Sequence, residues 1–190
     1  MTESASPLQT VGVQSVASAP LDTNRFESLY REHAGYVLFS LRRLGVHERD
    51  LEDLAHELFI VVARKLDEHD PSRPLRPWLF GIAFRVALDY RRSARFRREQ
   101  LDNDDAEPVD VSPGADQLME VAEKQRLVHR ALDTLRMEQR AVFVLHDLDG
   151  TKVPEIATAL GIPLNTAYSR LRLAREQFAS AVRELARGGR

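Results

Sequence analysis

The chain has 190 residues, no cysteine and a formal net charge of −2. This length suits one domain or two small ones, and the missing cysteine excludes disulfides, thiolate metal sites and cysteine nucleophiles. No apolar run is long enough to span a bilayer, and the first 20 residues lack the basic and apolar regions of a secretion signal. We therefore expect a cytoplasmic protein with no membrane contact of its own.

The first half of the chain predicts a tail followed by a three-helix module. Residues 1–22 are small, polar and aperiodic, which is typical of a disordered tail. Apolar residues then recur at helical spacing over about 23–44, about 47–66, and from 75 or 78 to about 98. A proline-rich loop, 67–77, separates the last two helices.

The second half predicts an acidic linker and a second helical module. Residues 99–114 are acidic, are interrupted by prolines and show no apolar period, which is typical of a flexible linker. Helices are expected near 115–132 and 137–148. A further helical pair follows them and completes the second module, which ends at residue 187. Because no alternating strand pattern occurs, the sequence predicts an all-α fold of two small domains, 23–98 and 115–187.

The charges are segregated along the chain. Residues 73–98 carry eight arginines and one acid, 99–110 carry six acids and no base, and 152–190 carry seven bases and three acids. Local charge density attracts a polyanion more directly than the net charge does. The overall charge of −2 is therefore compatible with a nucleic-acid partner.

The segment Val153–Arg175 predicts a helix-turn-helix. Pro154 fits a first helical turn, and Gly161 suits a left-handed helix end. Thr151 is a candidate N-cap for the first helix, and Asn165 or Thr166 for the second. The second helix should bury Ala167, Leu171 and Ala174. Its exposed hydroxyl and cationic face should comprise Thr166, Tyr168, Ser169, Arg170, Arg172 and Arg175.

Such a face fits a DNA major groove. The alternative is a helical hairpin whose arginines are simply solvated.

The basic helix at 78–98 mixes arginine with aromatic residues. Arg91, Arg95 and Arg98 fall on one helical face, where they could neutralise phosphates. Aromatic faces can stack on exposed bases, at about 1–3 kcal/mol per base. The helix therefore suits single-stranded or melting DNA, although core packing is the alternative interpretation for Trp78, Phe80 and Tyr90.

The acidic segment at 48–57 predicts a different surface. Acidic residues and His56 surround Leu54, Leu58 and Phe59. We expect these three apolar side chains to be too many for one small core, which favours an apolar patch with an acidic rim that binds a partner. Solvation of an acidic helix start is the equally open alternative.

Three segments, in this order, resemble the extracytoplasmic-function group of bacterial sigma factors. DLEDLAHELF (50–59) is similar to the helix that docks on the clamp coiled coil of the largest RNA polymerase subunits. DPSRPLRPWLFGIAFRVALDYRRS (70–93) is similar to the loop and helix that melt and read the minus-ten element. The stretch 135–175 is similar to the domain that reads the minus-thirty-five element.

The resemblance implies a role for each surface in transcription initiation. The polymerase would be bound by Asp53, Leu54, His56, Glu57 and Phe59. A base flipped from the non-template strand would be captured by the loop Asp70, Pro71, Ser72 and Arg73. Nearby phosphates would be held by Arg85, Arg91, Arg92 and Arg95. In the second module, bases would be contacted by Tyr168, Ser169 and Arg172, and the DNA backbone by Arg170 and Arg175.

The implied partners are core RNA polymerase and promoter DNA. An anti-sigma factor is a further partner that is common in the family, and its surface would overlap the polymerase-docking surface.

Other classes of protein are less well supported by the sequence. The six histidines are dispersed, and no glycine-rich phosphate loop or zinc-protease helix is present, so we expect no enzyme activity, cofactor or metal. A regulator that binds DNA without polymerase could carry the same helix-turn-helix. An adaptor that binds only another protein is a third hypothesis, which predicts that the arginines are dispensable.

Overall fold

The structure, a computed structural model, describes residues 23–101 and 116–188. Within these ranges it contains seven α-helices and no strand. The first module comprises α1 (Thr23–Arg43), α2 (Leu51–Lys65) and α3 (Leu75–Leu101). The second comprises α4 (Asp116–Asp133), α5 (Met137–Phe143), α6 (Val153–Leu160) and α7 (Leu164–Gly188). The predicted all-α class is confirmed.

Several predicted boundaries differ from the observed ones. A short 3-10 turn, Glu48–Asp50, precedes α2, which therefore begins at Leu51 and not near His47. Helix α3 continues to Leu101, so the first residues of the predicted linker are helical. The rest of the linker and the predicted tail, 1–22, lie outside the described residues. Helix α5 ends at Phe143, and a π-helical turn continues to Leu148.

The core of the first module is formed by the helical apolar stripes. Leu41 of α1, Leu44 directly after α1, Leu58 of α2, and Leu79 and Phe80 of α3 are fully buried. Each such side chain contributes about 1.5–3 kcal/mol when it is removed from water. For Phe80, the core interpretation is therefore confirmed.

The core of the second module lies where α5, α6 and α7 meet. Val142 of α5, Leu145 of the π-turn, Ile156 of α6 and Ala174 of α7 are fully buried. Helices α6 and α7 contact each other, and the small side chains of Ala157 and Ala167 are buried in this pair. Only residues 161–163 connect the two helices.

The two modules pack against each other. Helix α6 contacts α3, and Arg140 of α5 is only 1% exposed. Its Nε donates to the backbone carbonyl of Arg43 at the end of α1, and its Nη1 donates to Asp133 at 2.7 Å. A cationic side chain thus joins the last turn of α1 to the second module, where helix carbonyls favour positive charge.

Gly161→Ala is expected to lower the free energy of unfolding by about 1–2 kcal/mol, because Gly161 has a φ of 65° and a Cβ is unfavourable in that conformation. Urea denaturation followed by circular dichroism measures the change. The matched control is Gly35→Ala in α1, where a Cβ would meet nothing within 4 Å; it should stabilise the chain by roughly 0.5–1 kcal/mol. A neutral Gly161→Ala would contradict the assigned turn.

Candidate nucleic-acid interface

The helix-turn-helix is set by backbone features at its two helix starts and its turn. Pro154 lies in the first turn of α6, and Gly161 ends that helix in the left-handed conformation. The amide of Ile162 donates to the carbonyl of Ala157 at 2.9 Å, which closes the turn. Ala167 and Leu171 face inward, as predicted.

The predicted N-caps of both helices are wrong. Lys152, and not Thr151, occupies the N-cap position of α6, without a side-chain capping bond. Helix α7 already begins at Leu164, so Asn165 and Thr166 lie inside its first turn. The starts of α6 and α7 are therefore set by packing and by the fixed φ of Pro154 and Pro163, and not by a capping hydroxyl.

The outward face of α7 presents the predicted DNA-contacting residues. Tyr168 is 52% exposed, and Ser169, Arg172 and Arg175 are also exposed, whereas Thr166 and Arg170 are half-buried. The Ser169 hydroxyl donates to the Thr166 carbonyl at 3.0 Å. These side chains therefore lie at the surface of a single α-helix, an element that the major groove of B-form DNA admits.

Two of these arginines have acidic partners that the sequence analysis missed. Arg172 pairs with Glu176, one helical turn later, at 2.7 Å. Arg175 makes a bidentate contact with Asp147 of the π-turn, with Nη2–Oδ1 at 2.5 Å and Nε–Oδ2 at 2.9 Å. This bonding raises the pKa of Arg175. Asp147 therefore orients Arg175, and a DNA phosphate would compete with that carboxylate.

The loop from Asp70 to Arg73 is held by its own hydrogen bonds. The Asp70 carboxylate accepts from the Ser72 amide at 2.9 Å and from the Ser72 hydroxyl at 2.7 Å. These two bonds lower the pKa of Asp70. Arg73 lies 3.4 Å from the same carboxylate. All four residues of the loop, including Pro71, are exposed, so the loop is shaped in advance and open to a ligand.

A cavity of about 550 Å³ adjoins this loop. His69 and Trp78, whose rings pack edge to face at 5.0 Å, line it together with Arg85 of α3. His69 is buried, and its Nε2 has no hydrogen-bond partner. Burial, together with the nearby charge of Arg25, lowers the pKa of His69. The sequence analysis did not select His69, although its position directly before Asp70 was a usable signal.

The structure separates the arginines that were predicted to act together on α3. Arg85 lines the cavity beside Asp70 and Arg73. Arg91 instead points toward the second module, where Nη1 lies 3.7 Å from the sulfur of Met137. Arg92 is exposed and lies 3.7 Å from Asp89. Arg95 is on α3, but its side chain is outside the described part of the chain.

The acidic surface of α2 is exposed, but its apolar residues are not. Asp53, His56 and Glu57 face solvent. Leu54 is 9% exposed, Leu58 0% and Phe59 4%, so the expectation that they could not share one core is wrong. Helix α2 packs against both α1 and α3, which gives it two buried faces.

The exposed aromatic side chain next to Phe59 of α2 belongs to α1. Tyr30 is 50% exposed, and its ring lies 4.6 Å from that of Phe59. The ring of Phe59 also meets Phe26 edge to face at 6.3 Å. Sequence patterning could not show that an α1 aromatic covers the apolar face of α2.

These features define a class of protein. An all-α chain that joins a helix-turn-helix to a second module with an arginine-bearing helix and loop is a DNA-binding transcription factor by architecture. In the described ranges no helix is long and apolar enough to span a membrane, and no cluster of metal-ligating side chains occurs there.

The comparisons with known proteins identify the family. Residues 29–97 match the family Sigma-70 region 2, and residues 125–178 match Sigma-70, region 4. The chain is 31% identical over 175 residues to the ECF RNA polymerase sigma factor SigL of Mycobacterium tuberculosis, covering 88% of this chain and 94% of SigL. The chain therefore belongs to the extracytoplasmic-function (ECF) RNA polymerase sigma factors.

Two further similarities agree with this assignment. ECF RNA polymerase sigma factor SigE of Mycolicibacterium smegmatis is 35% identical over 155 residues, which cover 80% of this chain and 60% of SigE. The solved structure of CnrH in complex with the cytosolic domain of CnrY has a TM-score of 0.58 and 26% identity, and the match covers 86% of this chain and 90% of CnrH.

Proposed function

We propose that this chain is a cytoplasmic transcription initiation factor that binds core RNA polymerase, recognises two promoter elements and helps to melt the downstream one. The observation that carries the proposal is the presence of two separate DNA-suited surfaces on one chain, the loop and cavity at 70–85 and the outward face of α7. A regulator that acts without polymerase needs only the second of these. Neither an enzyme activity nor a cofactor is part of the proposal.

The downstream surface suits a flipped base. Extruding a base from duplex DNA costs a few kcal/mol of stacking and pairing, which a binding site must offset. The loop offers exposed polar groups at Asp70 and Ser72, while Trp78 supplies an aromatic wall and Arg85 a positive charge. We propose that Arg73 and Arg85 neutralise the phosphates that flank the captured base.

The upstream surface suits an intact major groove. We propose that Tyr168, Ser169 and Arg172 contact base edges, and that Arg170 and Arg175 contact the backbone. Arginine makes the commonest specific contact, with two hydrogen bonds to guanine. Arg175 would exchange Asp147 for a phosphate when DNA binds.

The docking surface for polymerase is proposed to be the acidic face of α2. Asp53, His56 and Glu57 would contact the polymerase directly, while Leu54 and Phe59 would shape that face from beneath. An anti-sigma factor is proposed as a second partner that competes for the same surface.

Run-off transcription with purified core polymerase over genomic promoter fragments tests the function. Promoter-selective transcripts that depend on this chain are expected, together with weak DNA binding by the chain alone. Tight, specific binding by the isolated chain with no polymerase-dependent transcript would favour the regulator that acts alone. Well-folded chain that supports no selective transcript would contradict the proposal.

Arg172→Ala is expected to change the preference at one position of the upstream element by about 1–3 kcal/mol, because a base-edge contact is lost. Competitive run-off transcription over a library randomised in that element measures the preference. The matched control is Arg183→Ala, an exposed arginine further along the same helix, which should leave the preference unchanged. Equal effects of both variants on every sequence would show that Arg172 contributes only general charge.

A further inference from the structure

Two large apolar side chains are exposed on α7, one helical turn apart. Leu164, the first residue of α7, is 43% exposed, and Tyr168 is 52% exposed. Residues four apart on a helix are neighbours on its surface, with about 5–6 Å between their Cβ atoms. Leu164 and Tyr168 therefore form one exposed patch, which we call the α7 apolar pair.

The α7 apolar pair lies outside the core of the second module. The inward side of α7 is formed by Ala167 and Ala174, which are fully buried, and by Leu171, which is 4% exposed. Leu171 follows Leu164 by seven residues and therefore lies on the same stripe of the helix. The neighbours of α7 cover that stripe at Leu171 but not at Leu164, so the surface of Leu164 is left available to a ligand.

The residues around the pair are polar. Asn165 and Ser169 directly follow its two members and are exposed, as is Arg172, one helical turn after Tyr168. An apolar groove on another protein would take water from these polar groups without replacing their hydrogen bonds. The major groove of DNA offers donors and acceptors at every base pair. A small apolar patch among such polar side chains therefore matches DNA better than it matches an apolar protein surface.

The position of the pair in the helix-turn-helix places it near the bases. In proteins of this architecture, the N-terminal residues of the second helix contact base edges in the major groove. Leu164 begins that helix, directly after the short connection formed by residues 161–163. With α7 in the groove, we therefore expect Leu164 to lie against a base edge.

Only one base matches an apolar contact at this position. Among the edges that bases present in the major groove, thymine alone carries an apolar group, its C5-methyl. Apolar atoms are in contact when they are about 4.0–4.5 Å apart. Two side chains whose Cβ atoms are about 5–6 Å apart can thus both contact the same methyl group.

We propose that the α7 apolar pair reads a thymine methyl group in the upstream promoter element, with Leu164 as a specificity-determining residue. The inference rests on the proposed function, because it names a base that the outward face of α7 contacts. It adds an apolar contact to the polar base contacts proposed for Ser169 and Arg172. It also predicts that the upstream element contains at least one T·A pair opposite the start of α7.

Replacing thymine with uracil in the promoter tests the proposal, because uracil pairs with adenine in the same way and lacks only the methyl group. An upstream element is first selected by core polymerase and the full chain from a library randomised in that element. Each of its thymines, on either strand, is then replaced singly by deoxyuridine. Competitive run-off transcription against the unmodified promoter measures the preference. With the parent chain, one replacement should lower the transcript about fourfold, the factor for one methyl group removed from water.

Variants of the chain show whether Leu164 is responsible for that preference. Leu164→Ala should transcribe the thymine and uracil promoters equally, and Leu164→Met, which keeps an apolar side chain, should restore the discrimination. The matched control is Leu173→Ala. Leu173 is 41% exposed and lies about two and a half turns beyond Leu164, on the opposite side of α7, so this variant should keep the discrimination of the parent chain. Circular dichroism checks that each variant is folded.

The proposal is overturned if the selected element contains no T·A pair, if no uracil replacement changes transcription by the parent chain, or if Leu164→Ala discriminates as the parent does. It is also wrong if Leu164→Ala lowers transcription equally from both promoters, which would assign the pair to a protein surface. If the parent chain gives no promoter-selective transcript with core polymerase, the proposed function fails and this inference falls with it. Selective transcription that ignores the methyl group overturns this inference alone.

Discussion

Replacing Arg140 with alanine is expected to lower the free energy of unfolding by about 3 kcal/mol, one of the largest stability effects expected for a single substitution in this chain. Removing a long buried side chain leaves a cavity, for which costs of about 2–5 kcal/mol are usual. The carbonyl of Arg43 also loses its charged donor. Urea denaturation followed by circular dichroism measures the loss.

Two further variants separate the causes of that loss. Arg136→Ala, four residues earlier at the exposed N-cap of α5, has no side-chain capping bond to lose and should change stability by less than about 0.5 kcal/mol. Arg140→Met keeps much of the volume but none of the hydrogen bonds, so it should recover part of the stability. An Arg140→Ala chain as stable as Arg136→Ala would show that the buried guanidinium is not a structural anchor.

Reversing two charges on α2, with Asp53→Arg and Glu57→Arg together, is expected to weaken binding to core RNA polymerase by at least about 100-fold. Unfavourable charge pairing across an interface costs several kcal/mol, and 100-fold corresponds to about 2.7 kcal/mol. Competition between labelled parent chain and the variant for core polymerase measures the change. The substitutions lie on exposed positions, so the helical content should be retained.

The control for this pair keeps the same change in net charge. Glu123→Arg and Glu184→Arg reverse two exposed acids on α4 and α7, away from the proposed docking face. This double variant should retain polymerase binding within a few-fold. Equal weakening in both double variants would mean that net charge, and not the α2 surface, governs the association.

The helix-turn-helix could be predicted from sequence because its signals are local. A proline in the first turn of α6 and a glycine after its last apolar residue each restrict the backbone at their own position. The inward residues of α7 follow from helical periodicity alone. The same reasoning predicted the exposed arginines of α7, although not their acidic partners.

The prediction of an exposed apolar patch on α2 is wrong because the burial of these side chains depends on which helices pack together. Periodicity identifies the apolar faces of a helix, but it does not say how many neighbours cover them. Leu54, Leu58 and Phe59 were expected to be too many for one core, but Phe59 is buried and its ring contacts those of Phe26 and Tyr30, about thirty residues earlier in the chain. Only the tertiary arrangement supplies that cover.

The contacts between the modules were beyond sequence reasoning for the same reason. The Tyr36 hydroxyl donates to Asp149 at 3.0 Å, 113 residues away, and neither residue belongs to a motif that indicates pairing. Gly81 sits within an ordinary helical stretch, and only the fold shows that a Cβ there would overlap the carbonyl oxygen of Ala159 in α6. A charged residue that forms a long-range buried pair looks, in the sequence, like any solvated one.

The contacts that join the two modules also have a consequence for how the chain unfolds. Arg140 of the second module donates to the carbonyl of Arg43, and the Arg43 side chain donates to Asp149 at 2.6 Å. Modules that share such part-buried polar contacts should lose their structure together, in one cooperative transition. Coincident urea midpoints for a probe in each module would therefore be the signature of these contacts in solution.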